Sequence, residues 1–157
     1  MTLKELAQAL VNKKYSHIPE HARPVVKYRD GTANELTKAI LAYFELRGWK
    51  AFRQASEGRY LPEQKVKNVL GQQVTVKKGM YIPRSRGAKG SGDISGALPP
   101  HGTRIEIEIK IGKDRQSDVQ KEFQAEIEAM GAIYMIVRTW QDFIFQISKY
   151  APKNASV

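Results

Sequence analysis

A chain of 157 residues with 41% hydrophobic content can bury one substantial core, and that length favours a single domain. The absence of cysteine excludes disulfide staples, thiolate-bound zinc and thiol nucleophiles, and makes a reducing cytoplasm the expected setting. Twenty-six Lys and Arg against sixteen Asp and Glu leave a charge of +10, which attracts polyanions, nucleic acid first among them.

Leu3, Leu6, Leu10 and Val11 share one side of a short amphipathic helix over residues 3 to 11. Ser16 to Gly31 carries Pro19 and Pro24 and reads as an irregular connection, so residues 1–31 form a leader to the main domain, residues 32–150. Thr32 and Glu35 have capping-box spacing at the head of a stronger helix. Its buried stripe is Leu36, Ala39, Ile40, Tyr43 and Phe44, and Gly48 stops it. Trp49 to Arg53 alternates as a strand does.

Residues 59 to 89 form a polar stretch punctuated by Pro62, Gly71, Gly79 and Pro83, with Val74-Thr75-Val76 as one arm of a hairpin. Arg59, Lys65, Lys67, Lys77, Lys78, Arg84, Arg86 and Lys89 stand there against one acid, Glu63. Solvated hairpins usually mix their signs, so this basic insertion is expected to contact nucleic acid. Gly87-Ala88-Lys89-Gly90-Ser91 superficially suggests a phosphate loop, but the lysine precedes the last glycine, and the glycines are expected to turn the backbone into the next strand.

Asp93 to Gly96 is a short strand, Pro99 to Gly102 a turn, and Thr103 to Ile111 the clearest strand in the chain. A helix follows from Ser117 to Met130, then a buried strand from Ile133 to Val137 and an aromatic-rich closing segment from Trp140 to Ile147, with residues 151–157 as a tail. That order implies a mixed sheet flanked by helices, an α/β sandwich. The run Ile133–Val137 is too short to cross a bilayer and the N-terminus lacks a signal peptide's apolar core, so no membrane partner is expected. His17 and His21 flank Pro19 and read as surface histidines.

Period two places Ile105, Ile107, Ile109 and Ile111 on one face of the long strand and Glu106, Glu108 and Lys110 on the other. If it pairs as a hairpin with the strand of Asp93, Asp93 lies beside Glu108 at the sheet's end. Magnesium commonly takes one or two carboxylates together with water and substrate phosphate. A lysine beside them can position the attacking water or balance developing charge.

Asp93 followed by Glu108-Ile109-Lys110 resembles the PD-(D/E)XK nuclease superfamily, and the surrounding text resembles its VRR-NUC branch. The matching pieces are Asn34-Glu35-Leu36, Trp49-Lys50-Ala51-Phe52-Arg53, Gly90-Ser91-Gly92-Asp93-Ile94-Ser95-Gly96, Ile107-Glu108-Ile109-Lys110, Ser117-Asp118-Val119-Gln120 and Gly131-Ala132. They run in order over roughly residues 32 to 143. The resemblance implies a restriction-endonuclease-like α/β/α sandwich and Mg²⁺-dependent hydrolysis of DNA by direct water attack, with Mn²⁺ as a substitute ion. It implies that Asp93, Glu108 and the backbone carbonyl of Ile109 bind the metal and that Lys110 assists the water. Glu35 would reach the site from the first long helix and Gln120 from the helix beyond the catalytic strand, although each also suits a helix cap, with Thr32 and Ser117. Gly92 stands where the superfamily has proline. Glu106 is an extra acid, an outer ligand through water or, as favoured, an exposed strand residue. A two-strand cut by a one-site domain would need a homodimer. A non-cleaving DNA-binding module and a basic RNA-associated factor are the alternatives.

Overall fold

The computed structural model describes residues 1–54, 59–82 and 90–150. Arg84, Arg86, Lys89 and the tail at 151–157 lie outside them. The chain divides into two compact units, Met1–Gln54 with Lys89–Val157, and Ala55–Ala88.

In the larger unit, α1 (Leu3–Lys14) opens at a full capping box between Thr2 and Glu5 that the sequence reading did not pick out. Leu6 and Leu10 of α1 belong to the same core as α2 (Ala33–Arg47), so the leader is part of this unit's core. Residues 24–30 carry no regular structure, yet the Asp30 carboxylate accepts from the Trp140 backbone N–H at 3.0 Å and fastens the leader to the last helix. Gly48 ends α2 in the left-handed conformation, φ 71°.

The sheet is built from β1 (Lys50–Arg53), β6 (Ile94–Leu98), β7 (Thr103–Ile109) and β8 (Ile133–Val137), in that spatial order. The strands between β1 and β6 in the chain belong to the smaller unit: β2 (Arg59–Leu61), β3 (Gln64–Lys67), β4 (Gln73–Lys77) and β5 (Met80–Ile82). β1 and β7 each run antiparallel to β6, and β7 runs parallel to β8, so the sheet is mixed. The parallel step is made by α3 (Asp118–Ala129), and α4 (Trp140–Ile147) closes the described chain. The closing segment is therefore a helix, capped by Thr139, whose hydroxyl accepts from the Asp142 N–H.

Side-chain alternation on β7 divides the interior. Ile105, Ile107 and Ile109 pack into a core with residues from α1, α2 and α4, including Leu36, Ile40, Phe44, Trp140 and Phe143. A second, smaller core of Phe123, Ile127 and Tyr134 joins α3 to the opposite face of β8. Helices thus cover both faces of a mixed α/β sheet. On the face of β7 opposite these isoleucines, Glu106 and Glu108 are buried, as is Lys110 just beyond the strand, whereas Arg104 near its start is exposed.

The smaller unit is a nested antiparallel ribbon. β2 pairs with β5, and β3 pairs with β4 through a turn at residues 68–72, with an irregularity between Gln64 and Lys65. Among the described residues, no helix is long and apolar enough to cross a membrane.

Candidate active site

The residues that converge at one end of the sheet come from the loop before β6, the end of β7 with the residue after it, and the first turn of α3. Their placement begins with the backbone of Gly90-Ser91-Gly92. A Cβ on Gly92 would lie 2.8 Å from the Ile107 carbonyl oxygen, and one on Gly90 would collide with the Val119 carbonyl oxygen and lie 2.9 Å from Phe123 Cβ. The segment therefore threads between β7 and α3 with no room for side chains at these two positions. These glycines do more than turn the chain, since they let its backbone touch both neighbours.

Directly after this passage, the Asp93 carboxylate accepts a hydrogen bond from the Ile109 N–H at 2.9 Å. The Asp93 carbonyl accepts from the Gln54 N–H at 2.7 Å, which fixes the same residue to the end of β1. The antiparallel register pairs Ile94 with Ile107, so Asp93 lies where the β6–β7 ladder ends and its side chain takes over the next backbone donor. An extended residue points its N–H and C=O to the same edge of the strand. The Ile109 carbonyl accordingly faces the Asp93 side, whereas the Lys110 N–H donates across to Val137 on β8.

Glu108 is 4% exposed and Lys110 6%. Lys110 Nζ lies 2.9 Å from Glu108 Oε1 and 3.4 Å from Asp114, which is half-exposed in the turn after β7. Gln120 Nε2 donates to the same Glu108 oxygen at 2.6 Å. Asp93 Oδ1 and Glu108 Oε2 have no hydrogen-bond partner among the described residues. Burial pushes the Glu108 carboxyl above its ordinary value; the Asp93 charge adds to this, against the lowering pull of Lys110 and Gln120. Burial would lower Lys110, but the Glu108 contact and then Asp114 outweigh it, leaving the ammonium pKa raised. Lys110 is therefore a held cation, paired with Glu108 and Asp114.

Gln120 serves two partners at once. Its Oε1 accepts from the Ser117 N–H at 2.9 Å, completing a capping box, while its Nε2 reaches Glu108. The cap and the site contact are two ends of one amide, so they do not compete. Glu35 is different: its carboxylate accepts from the Thr32 hydroxyl at 3.2 Å, and its N–H donates to the same oxygen at 3.3 Å. No hydrogen bond or ion pair joins Glu35 to Asp93 or Glu108 among the described residues.

Glu106 corrects the sequence expectation. It is 0% exposed rather than an exposed strand residue, because α3 covers this face of β7. Its Oε1 accepts from Ser95 Oγ at 2.8 Å and from Arg104 at 2.7 and 3.1 Å, while Oε2 is buried without a partner. Arg104 in turn lies over the Phe123 ring, 6.0 Å from its centroid. Ser95, directly opposite Glu106 in the ladder, was foreseeable from a hairpin register; the role of Arg104 needed the position of α3. Tyr134 was also missed. It pairs with Glu106 across the parallel ladder, and its hydroxyl pKa is raised, first by burial and then by Glu108, with Glu106 and Asp93 adding smaller effects.

In the smaller unit, Lys65, Lys67, Lys77 and Lys78 are exposed. Lys65 is 3.6 Å from Glu63.

Among the described residues, no group of three or more His, Cys, Asp and Glu is positioned to hold a metal ion. The oxygen set at the sheet's end is smaller: two carboxylates with one unengaged oxygen each, beside a strand-end carbonyl. Such a set suits a hard cation that keeps several waters, as Mg²⁺ does, and does not suit zinc or a softer metal. No family model matches the chain, and no curated protein matches it significantly.

Proposed function

We propose that this chain is a Mg²⁺-dependent DNA nuclease of the PD-(D/E)XK type, similar to the VRR-NUC branch, and that its four-stranded sheet with helices on both faces is the core of a restriction-endonuclease-like sandwich. The observation that carries the reading is the meeting of Asp93, Glu108, Lys110 and Gln120, drawn from three separate elements, in one partly buried cluster. A solvated strand face would scatter its acids into water. Here a carboxylate is buried at an energetic cost, beside a second acid, and is partly offset by one cation.

In this reading Asp93 and Glu108 supply charged oxygen ligands and Ile109 a carbonyl. A divalent cation held there would lower the pKa of a water and neutralise charge on the phosphate. The Ile109 N–H orients the Asp93 carboxylate, and Gln120 orients that of Glu108. Lys110, kept protonated by Glu108 and Asp114, stabilises negative charge on the phosphoryl oxygens or positions the water. The exposed lysines at 65, 67, 77 and 78 supply non-specific phosphate contacts.

The test is cleavage of labelled linear, nicked, flapped and four-way DNA with Mg²⁺, Mn²⁺ or EDTA, alongside calorimetric titration of Mn²⁺. Wild type should cut only with metal. Asp93→Ala and Glu108→Ala should stop cleavage and weaken Mn²⁺ binding while leaving DNA binding intact or tighter. Lys110→Ala should keep the ion and lose about 10²-fold in rate. No cutting of any substrate with any metal, or wild-type Mn²⁺ affinity in both acid variants, refutes the proposal.

A further inference from the structure

The β3–β4 hairpin ends in a loop whose conformation is specified by one side chain. Asn68 Oδ1 accepts from the Leu70 and Gln72 N–H groups at 3.0 and 2.9 Å, and Asn68 Nδ2 donates to Gln72 Oε1 at 3.3 Å. The Asn68 backbone adds two more bonds, its N–H to the Gln72 carbonyl and its carbonyl from the Gly71 N–H, both 2.9 Å, with Gly71 at φ 76°. The side chains of Asn68 and Gln72 and the N–H groups of Leu70, Gly71 and Gln72 are thus spent on closing the turn. What the tip presents outward is Val69 and Leu70, 104% and 79% exposed. A loop that needed only solvation would carry polar residues there.

The arms behind the tip are basic. Lys67 pairs with Gln73 beside the loop, and Lys77 pairs with Gln64 three residue pairs further back, with Lys78 next to it. At the strand rise this staggers the lysines over about 10 Å of the ribbon's length. Lys67, Lys77 and Lys78 have no ion pair among the described residues, and the one acid among this unit's described residues, Glu63, is taken by Lys65 and by Thr75 Oγ1 at 2.7 Å. A flat membrane surface would best be met by cations at a single depth around an apolar tip. Cations staggered along a ribbon match a row of phosphates.

From this arrangement, and resting on the reading that the chain acts on DNA, we propose that the hairpin is a DNA-inserting arm: Lys67, Lys77 and Lys78 follow the phosphates while Val69 and Leu70 wedge between adjacent base pairs and kink the duplex. Apolar wedges on basic supports unstack a step and bend the helix, and pyrimidine–purine steps yield most readily. A preformed tip enters without losing loop entropy on binding.

The full chain is mixed, in EDTA so that metal-dependent cleavage is blocked, with a duplex of about 20 base pairs carrying 2-aminopurine at a central TA step and a dye pair at its ends. Wild type should raise 2-aminopurine fluorescence and shorten the end-to-end distance. Val69→Ser/Leu70→Ser should lose both signals yet keep the wild-type salt slope, because no phosphate contact is removed. Lys67→Gln/Lys77→Gln/Lys78→Gln should weaken binding and lower the slope of log K against log salt by up to about 0.9 per lysine. Wild-type binding and metal-dependent cutting with no change in stacking or distance overturns the wedge and leaves the nuclease reading intact. Signals that survive in the serine variant also overturn it. Binding to phosphatidylserine vesicles that depends on Val69 and Leu70, without duplex binding, overturns it in favour of a membrane contact.

Discussion

Replacing Gly92 by alanine adds one carbon at the point where the loop before β6 crosses the central strand. That carbon would meet the Ile107 carbonyl oxygen at 2.8 Å, its carbonyl carbon at 2.9 Å and its nitrogen at 3.1 Å. All three are backbone atoms of a strand hydrogen-bonded on both sides, so no side chain can swing away. Reaching an ordinary contact requires the loop to lift by roughly half an ångström. The next residue is Asp93, whose carboxylate is held to the Ile109 N–H at 2.9 Å, so the displacement falls on the proposed ligand. Overpacking of this kind costs about 1–3 kcal/mol. Because a misplacement of about 1 Å can cost 10²-fold in rate, half that shift should cost about 10-fold. Gly102→Ala is the control. Gly102 has φ 72° and open space around its Cβ position, so alanine there costs about 1–2 kcal/mol of backbone strain away from Asp93. The assays are thermal melting, Mn²⁺ titration, cleavage rate and hydrogen exchange of the Ile109 amide. Gly92→Ala should lose rate, Mn²⁺ affinity and Ile109 protection beyond what its melting shift explains, whereas Gly102→Ala should lose stability alone. Equal losses in the two variants, or an unaltered Ile109 amide in Gly92→Ala, would refute the claim that this close approach positions Asp93.

Arg104→Met should destabilise the fold by about 1–3 kcal/mol, read by urea melts, because it leaves the buried Glu106 with only Ser95; Arg104→Met/Glu106→Leu should recover most of it, while Glu106→Gln keeps Mn²⁺ affinity if Glu106 is structural. Glu35→Gln retains an acceptor for the Thr32 hydroxyl, so an unchanged melting temperature with lost cleavage would assign Glu35 to the reaction, and full cleavage would confine it to the cap. In metal-free protein, the raised pKa of Lys110 means that its stabilising charge is complete below 10.5 and is lost as pH rises through the higher folded value. Wild type should therefore lose stability more steeply than Lys110→Met above pH 10.5 in denaturant titrations; Tyr28 and Tyr134, also raised, slope equally in both and cancel.

Local pattern was enough for much of this architecture. The isoleucine period of β7, the cap residues Thr32 and Ser117, and the stop at Gly48 are set by neighbours within a few residues, and each element forms where those signals lie. The short antiparallel connection between β6 and β7 likewise made the approach of Asp93 to Glu108 legible, since a hairpin permits few registers. What depended on distant chain was burial. Glu106 looks like a solvent-facing strand residue until α3 is laid over it, and the position of α3 follows from the parallel pairing of β7 with β8, a crossover that local pattern does not encode. The same crossover delivers Gln120 to Glu108 and Tyr134 to the acids of β7. Gly90 and Gly92 read as turn residues in the chain; only the packed structure reveals that β7 and α3 come too close to them to admit a side chain. Residue type and spacing thus specified the chemistry available, while long-range pairing decided which charges left water and which partners they met.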